Sequence, residues 1–258
     1  METPIVLVFG GSEESMNSGL QADGRVLAIH NVSSNLISTS SLTRSEHASL
    51  FVSADLEDVK EAIARLGSTS HAIKIGTVSS LPCLQIICQF IRLQSQATVV
   101  VDAEAIFRID PPPEQSLVGA LITDLLPHTG ILFVTVLEAL SLLRGAGIPT
   151  EHPKGLSDLK SMGHALQRLG ATNVVIKTET FDAPDQMTAL QYVFCGESGE
   201  KMDRDYLYNP SGFFGASYSI PSTVAALMAK GATPAEAVSA GFKLVADMLK
   251  EGKFFGEE

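Results

Sequence analysis

Residues that could bind a ligand follow short apolar segments at several places in this sequence. Lys177 closes NVVIK, Asp102 closes TVVVD, Glu138 follows ILFVTVL, and Gly11 follows IVLVFG. If the apolar segments are strands of an open α/β sheet, their carboxyl ends meet along one rim, where such sheets bind ligands. We therefore expect these residues to converge on one site. A lysine there would suit phosphoryl transfer, which relies on positioning and charge neutralisation.

A second candidate for phosphate chemistry is FFGASYSIPSTVAALMAKG, residues 213–231. We predict a helix from Pro221 to Lys230, with Ser219 as its N-cap and Pro221 in its first turn. Gly215 would lead into it, so that the first amides, which lack partners within the helix, face an anion. The alternative is an ordinary helix start after a glycine turn.

Short β-branched runs alternate along the chain with longer segments of helical period. These elements must position the candidate residues. This alternation predicts one α/β domain over residues 1–258, with a mostly parallel central sheet and helices on both faces. The predicted segments are Ile5 to Phe9, Leu56 to Leu66, His71 to Ile75, Leu84 to Leu93, Thr98 to Val101, Gln115 to Leu126, Ile131 to Val134, Leu156 to Leu169 and Asn173 to Ile176.

Local signals refine the element boundaries. Asp55 and Ser157 are predicted helix starts, and Gly67 and Gly170 are the matching stops. ALQYVFCGESGEKMDRDYLY predicts two strands around a glycine turn, and a last helix is expected from Pro234 to about Lys250. The serine-rich VSSNLISTSSLTRSEHAS is predicted as a strand plus loop.

Composition excludes several classes of function. The net charge of −11 and pI near 5.0, without a basic cluster, disfavour nucleic acid as a partner. No apolar stretch is long enough for a membrane span, and the N-terminus reads as a strand rather than a signal peptide. The three cysteines, without C-x-x-C spacing, suggest neither disulfides nor zinc. A cytoplasmic location is expected.

Six motifs carry a family resemblance. GSEESMNSGLQAD is similar to G-S-D-x-S-G-G-A-G-I-Q-A-D, AIKIGTV to V-K-I-G-M-L, VVVDAEA to V-L-D-P-V-M, VTVLEAL to T-P-N-L-P-E-A, NVVIKTE to V-L-V-K-G-G, and GASYSIPSTVAALMAKGATPAEAV to G-T-G-C-T-F-S-A-A-I-A-A-x-L-A-K-G-x-x-x-x-E-A-V. In this order they resemble the hydroxymethylpyrimidine and phosphomethylpyrimidine kinases of thiamine biosynthesis. These are relatives of one group of pyridoxal kinases, within the ribokinase-like superfamily.

The resemblance implies a ribokinase-like fold, ATP and Mg²⁺ as cofactors, a small heteroaromatic substrate and a homodimer. It also implies roles for particular residues. These are Gly215, Ser217 and Tyr218 at the catalytic anion hole, Gly11, Glu13, Met16, Gln21 and Asp23 on the substrate side, Thr135, Lys177 and Glu179 near the nucleotide, and Asp102 and Glu138 at the metal.

The chain departs from the family pattern at these chemical positions. Tyr218 replaces the catalytic cysteine, and a phenol with an unperturbed pKa of about 10 is a weak base near neutrality. Glu179 brings negative charge to the nucleotide side, and Met16 replaces a glycine at the substrate mouth, where it could instead fill a gap in the core.

Alternative interpretations remain at this stage for the individual residues. Asp102 could cap the next segment, Lys177 and Glu138 could be solvated surface groups, and Gln21 and Asp23 could be plain helix-surface residues. For the whole chain, three functions compete: a weakened kinase of hydroxymethyl pyrimidines or pyridines, a noncatalytic protein that binds a heteroaromatic ligand or partner, and an enzyme repurposed around Tyr218.

Overall fold

The computed structural model describes residues 3–13, 19–44, 49–66, 70–107, 113–178, 187–197, 199–208 and 213–251. Within these ranges it describes only the backbone at residues 13, 42–44, 49–51, 187–190, 200–208, 213–218 and 249.

The described residues form one nine-stranded sheet in the order β3-β2-β1-β4-β5-β6-β7-β8-β9. The six strands from β2 to β7 in this order are parallel, and the antiparallel strands β3, β8 and β9 lie at the two edges. The strands are β1 (Ile5–Glu13), β2 (Ser33–Arg44), β3 (Ser49–Ser53), β4 (Ala72–Ile75), β5 (Thr98–Asp102), β6 (Ile131–Thr135), β7 (Asn173–Thr178), β8 (Met187–Gly196) and β9 (Gly199–Tyr208).

Helices cover both faces of this sheet, so the predicted α/β architecture is confirmed. They are α1 (Gly19–Ile29), α2 (Leu56–Ala64), α3 (Leu81–Ile91), α4 (Ala103–Phe107), α5 (Gln115–Ala120), α6 (Val136–Gly145), α7 (Leu156–Arg168), α8 (Phe213–Ala229) and α9 (Pro234–Lys250). A π-helical turn (Leu121–Leu125) and a 3₁₀ turn (Leu126–His128) follow α5. No helix within the described ranges is long and apolar enough to span a membrane.

Two apolar clusters, one on each face, hold the layers together. The α7-side cluster packs strand residues against α2, α3, α5, α6 and α7, and it contains the buried thiols Cys83, Cys88 and Cys195. The α8-side cluster packs the opposite strand face against α1, α8 and α9. In β5, Val99 and Val101 belong to the first cluster and Val100 to the second, as the period of two in a strand requires.

Two predicted boundaries are wrong by a few residues. The first strand continues through its glycines to Glu13, because a bulge between Gly10 and Gly11 shifts the register with β2 and lets pairing resume. Helix α7 begins at Leu156, with Gly155 as N-cap, so the predicted start at Ser157 is not the cap. Asp55 does cap α2, since its carboxylate accepts a hydrogen bond from the Glu57 amide at 2.8 Å.

The start of α8 is the largest correction. The helix begins at Phe213, eight residues before Pro221, so Ser219 and Pro221 lie inside it rather than at its N-terminus. A proline inside a helix removes one backbone hydrogen bond, here the one to the carbonyl four residues earlier. Burial of the neighbouring residues offsets this loss, because Ile220 and Val224 are fully buried in the α8-side cluster.

Candidate active site

The carboxylate of Asp102 is the most unusual group at the carboxyl ends of the parallel strands. Asp102 ends β5, and its alternation with Val101 points the side chain toward the face covered by α8. It is 0% exposed, and neither carboxylate oxygen has a hydrogen-bond partner among the described residues. The interpretation as a helix cap is therefore wrong. Burial raises the Asp102 pKa to about 6, although Lys177 and Lys74 act to lower it.

Lys177 lies beside Asp102 at the end of β7. Its ammonium is 3.9 Å from the Asp102 carboxylate and donates a hydrogen bond to the Glu104 carboxylate on α4. Lys177 is only 8% exposed, so the surface interpretation is wrong. Burial alone would lower its pKa, but Asp102 and Glu104 outweigh that effect and raise the pKa. The lysine therefore remains charged at neutral pH.

Sheet register explains how these charges meet. Asp102 pairs with Phe133 on β6, and Phe133 pairs with Val175 on β7, two residues before Lys177. Both Val175 and Lys177 therefore point to the α8 face.

Lys74 lies on the other side of Asp102, on β4, where it pairs with Val100. The three charged side chains thus run along one diagonal of the same sheet face.

A buried ion pair joins helix α1 to this diagonal. The Asp23 carboxylate is 2.5 Å from the Lys74 ammonium, and it also accepts a hydrogen bond from the Ser222 hydroxyl on α8. The interpretation of Asp23 as a plain surface residue is therefore wrong. Both contacts are made by the same carboxylate oxygen, Oδ1, and they tie α1, β4 and α8 together. Gln21, two residues earlier on α1, is partly exposed.

Glu138 is buried in the first turn of α6, not solvated. Its carboxylate accepts a hydrogen bond from the Thr135 amide at 2.6 Å and another from the Thr135 hydroxyl. This is the helix-capping use of a glutamate three residues after the N-cap. Both predicted site residues, Thr135 and Glu138, therefore have a structural task. Glu138 still acts electrostatically on Lys177, whose pKa it helps to raise.

The glycines at the predicted substrate side bring backbone segments close together. A Cβ atom on Gly11 would lie 3.0 Å from the Ser40 hydroxyl. Gly19, which begins α1, has φ +64°, and a Cβ there would lie 2.2 Å from the Gly11 carbonyl oxygen. Only glycine satisfies both conditions at position 19. The first residue of α1 thus lies in close contact with the backbone of β1.

Several predicted site residues fall partly or wholly outside this geometry. Met16 and Glu179 lie outside the described residues. Glu13 is placed in β1, and Gly215, Ser217 and Tyr218 in the first turns of α8, by their backbone only. The predicted anion hole thus falls within the first turn of a longer helix, and the position of the phenol stays a prediction.

Comparison with known proteins shows the family. Residues 14–258 match the phosphomethylpyrimidine kinase family. The chain belongs to the phosphomethylpyrimidine kinase family. A relative described as hydroxymethylpyrimidine/phosphomethylpyrimidine kinase from Rhizobium meliloti (strain 1021) is 25% identical over 241 residues, which cover 92% of this chain and 87% of the relative.

Solved structures confirm the ribokinase-like fold of this phosphomethylpyrimidine kinase family member. An ADP complex of Bacillus subtilis pyridoxal kinase superposes with a TM-score of 0.83 at 20% identity, covering 97% of this chain and 93% of that chain. Staphylococcus aureus pyridoxal kinase in complex with pyridoxal superposes with a TM-score of 0.81 at 20% identity, covering 97% and 89%.

The residues present fit a magnesium ion only in part. No group of three metal-ligating side chains occurs within the described ranges. Magnesium needs no such group, because it often uses one or two carboxylates together with water and substrate phosphates. Asp102, with two unpartnered buried oxygens, is suited to that role. The Glu138 carboxylate is already engaged by Thr135, so it would contribute mainly through its charge.

Three residues of this charged network were missed from the sequence: Lys74, Glu104 and Ser222. Lys74 stands within the family-like AIKIGTV, where it reads as one polar residue in a buried strand. A polar residue within an apolar strand was the signal that a buried partner exists. Glu104 follows Asp102 by two residues, where the phosphomethylpyrimidine kinase motif V-L-D-P-V-M has valine.

Proposed function

We propose that this protein transfers the γ-phosphoryl group of Mg-ATP to the hydroxymethyl group of a pyrimidine or pyridine ring. The observation that carries this proposal is the placement of Lys177 next to the Asp102 carboxylate, which accepts no hydrogen bond from the described residues, at the carboxyl ends of parallel strands. Ligands bind at these ends in open α/β sheets. The complexes of its pyridoxal kinase relatives with ADP and with pyridoxal support the same substrate classes.

The chemistry follows from charge placement. The substrate hydroxyl oxygen forms a bond to the γ-phosphorus, the bond from that phosphorus to the ADP oxygen breaks, and the hydroxyl proton passes to water. Lys177 would neutralise negative charge on the phosphoryl oxygens, and Asp102 would hold magnesium, which supplies further neutralisation of the phosphates. Because the transition state of phosphoryl transfer is loose, it makes little demand on a strong base. Tyr218 in place of a cysteine is therefore compatible with slow turnover.

The test is a direct product assay. The protein is incubated with Mg-ATP and either hydroxymethylpyrimidine or pyridoxal, and the phosphorylated ring is measured by mass spectrometry. We expect a phosphorylated product that disappears in Lys177→Met, which keeps the length of the side chain but removes its charge. Absence of product from the wild-type protein with either ring, at millimolar substrate and long incubation, would contradict the proposal.

A second candidate function is binding without catalysis, favoured by the engagement of Lys177 by Glu104. In that case the ring alone stabilises the protein, as a ligand at 100 times its Kd does by about 2.7 kcal/mol. Mg-ATP produces no shift of the unfolding temperature. Tyr218→Cys separates the two candidates, since it should increase turnover in a weakened kinase and leave a pure binder without product.

A further inference from the structure

The ammonium of Lys177 already has an internal anionic partner. It donates a hydrogen bond to the Glu104 carboxylate, and the nearest Asp102 oxygen is 3.9 Å away. Glu104 is only 5% exposed, so water screens this pair little. An anion that approaches Lys177 therefore meets a cation whose charge is largely compensated.

The surrounding charges strengthen this effect. Asp102, Glu104 and Glu138 all act on Lys177, and Asp23 and Lys74 pair with each other nearby. Three carboxylates thus act on the single positive charge of Lys177 in the described part of the site. Bringing the phosphates of a nucleotide to Lys177 would place further negative charge in a buried region that is already acidic, which is unfavourable without a compensating cation.

Glu104 is the part of this arrangement that departs from the family motif. It lies on the short helix α4, two residues after Asp102, where V-L-D-P-V-M has valine. A valine would leave the lysine ammonium with Asp102 at a distance and with free hydrogen-bonding capacity. Glutamate in its place supplies a carboxylate that mimics a phosphate oxygen at the same ammonium.

We propose that Glu104 sets the nucleotide affinity of this site, because its carboxylate competes with nucleotide phosphates for the Lys177 ammonium. This inference rests on the proposed function, since it concerns the same phosphate subsite. The residue acts through Lys177 and is a positioning residue rather than a catalytic one. It makes nucleotide binding depend strongly on accompanying magnesium, which would offset the acidic surroundings.

The size of the effect follows from the pair that must be released. Release of a hydrogen bond between charged groups changes a dissociation constant by about 10- to 140-fold, which corresponds to about 1.5–3 kcal/mol. Replacement of Glu104 by glutamine keeps the shape of the side chain but removes the charge. Glu104→Gln should therefore bind nucleotide at least about tenfold more tightly than the wild-type protein.

The experiment is a calorimetric titration of the wild-type protein, Glu104→Gln and Glu104→Val with ADP, with and without Mg²⁺. Glu61→Gln is the matched control, because Glu61 is an exposed carboxylate on α2 and its loss changes the net charge equally. We expect tighter ADP binding only in the two Glu104 variants, with a larger gain when Mg²⁺ is absent. Adding Lys177→Met to Glu104→Gln should remove the gain.

Equal or weaker ADP binding by both Glu104 variants would overturn the inference. It would also be overturned if neither the wild-type protein nor the Glu104 variants bind ADP. A gain that survives Lys177→Met would overturn it as well. If ADP binds Glu104→Gln but not the wild-type protein, the inference stands while the proposed kinase function of the wild-type protein fails. Glu104→Val keeps the test decisive if glutamine at this position prevents folding.

Discussion

The Asp23 carboxylate on α1 lies 2.5 Å from the Lys74 ammonium on β4, and both side chains are almost completely buried. Removing one partner leaves an isolated buried charge, which costs about 3–5 kcal/mol. We expect Lys74→Met to lower the free energy of unfolding by this amount, measured by urea denaturation. Adding Asp23→Leu should recover part of the loss. Glu57→Gln is the control, because it breaks the exposed Lys60 pair and should cost less than about 1 kcal/mol.

Asp102 makes the protein less stable as pH rises. Burial raises its pKa from 3.8 to about 6 in the folded protein, so the folded state holds a proton that the unfolded state releases between these values. The contribution of Asp102 is favourable below pH 4 and is lost as pH increases through 6. Two pKa units correspond to about 3 kcal/mol.

Asp102→Asn should therefore match the wild-type protein near pH 4 and exceed its unfolding free energy by about 3 kcal/mol above pH 7. Glu104 still pairs with Lys177 in this variant, so no buried cation is left alone. The measurement is urea denaturation across this pH range. An Asp102→Asn protein that is less stable than wild type at pH 7 would show that Lys177 stabilises the carboxylate more than burial penalises it.

Glu138 combines a helix cap with a predicted role at the metal, and two substitutions separate them. Glu138→Gln keeps an oxygen for the Thr135 amide and should change stability little, whereas Glu138→Ala should cost about 1 kcal/mol. Both variants should weaken Mg²⁺-dependent ADP binding equally if the charge matters there. Denaturation and calorimetry together check this. Weakened binding in the alanine variant alone would assign Glu138 to capping only.

Helix α7 packs against β8 through a glycine. A Cβ atom on Gly163 would lie 2.5 Å from the Cys195 sulfur. Gly163→Ala should therefore destabilise the protein by about 1–3 kcal/mol, despite the better helix propensity of alanine. Adding Cys195→Ala should recover part of that loss. Gly119→Ala on α5 is the matched control, since nothing lies within 4 Å of its added Cβ, and thermal denaturation should show an unchanged or higher midpoint.

The central part of the fold was predictable because its strands are nearly continuous apolar runs. TVVVD and NVVIK predict strands buried on both faces, and register then places Asp102 and Lys177 on the same face. The start of α8 was not predictable from local signals. Gly215 and Pro221 resemble a turn and a first-turn proline, but the helix runs through both and begins at Phe213.

The partners of the site charges were also beyond sequence reasoning. Asp23 and Lys74 are 51 residues apart, and Glu104 and Lys177 are 73 apart. Strand alternation shows which face a lysine occupies, but it does not show which helix delivers a carboxylate to it. That choice depends on how α1 and α4 pack above the strand ends, which the residues themselves do not reveal.

All three cysteines of the chain lie in the α7-side cluster, and burial raises the pKa of Cys83 and of Cys88 to about 11. Only a thiolate reacts readily with alkylating reagents. The rate at which the sulfurs become labelled therefore reports how often this half of the molecule opens. The labelling rate of the native cysteines thus measures local opening of this cluster, and no engineered cysteine is needed for the measurement.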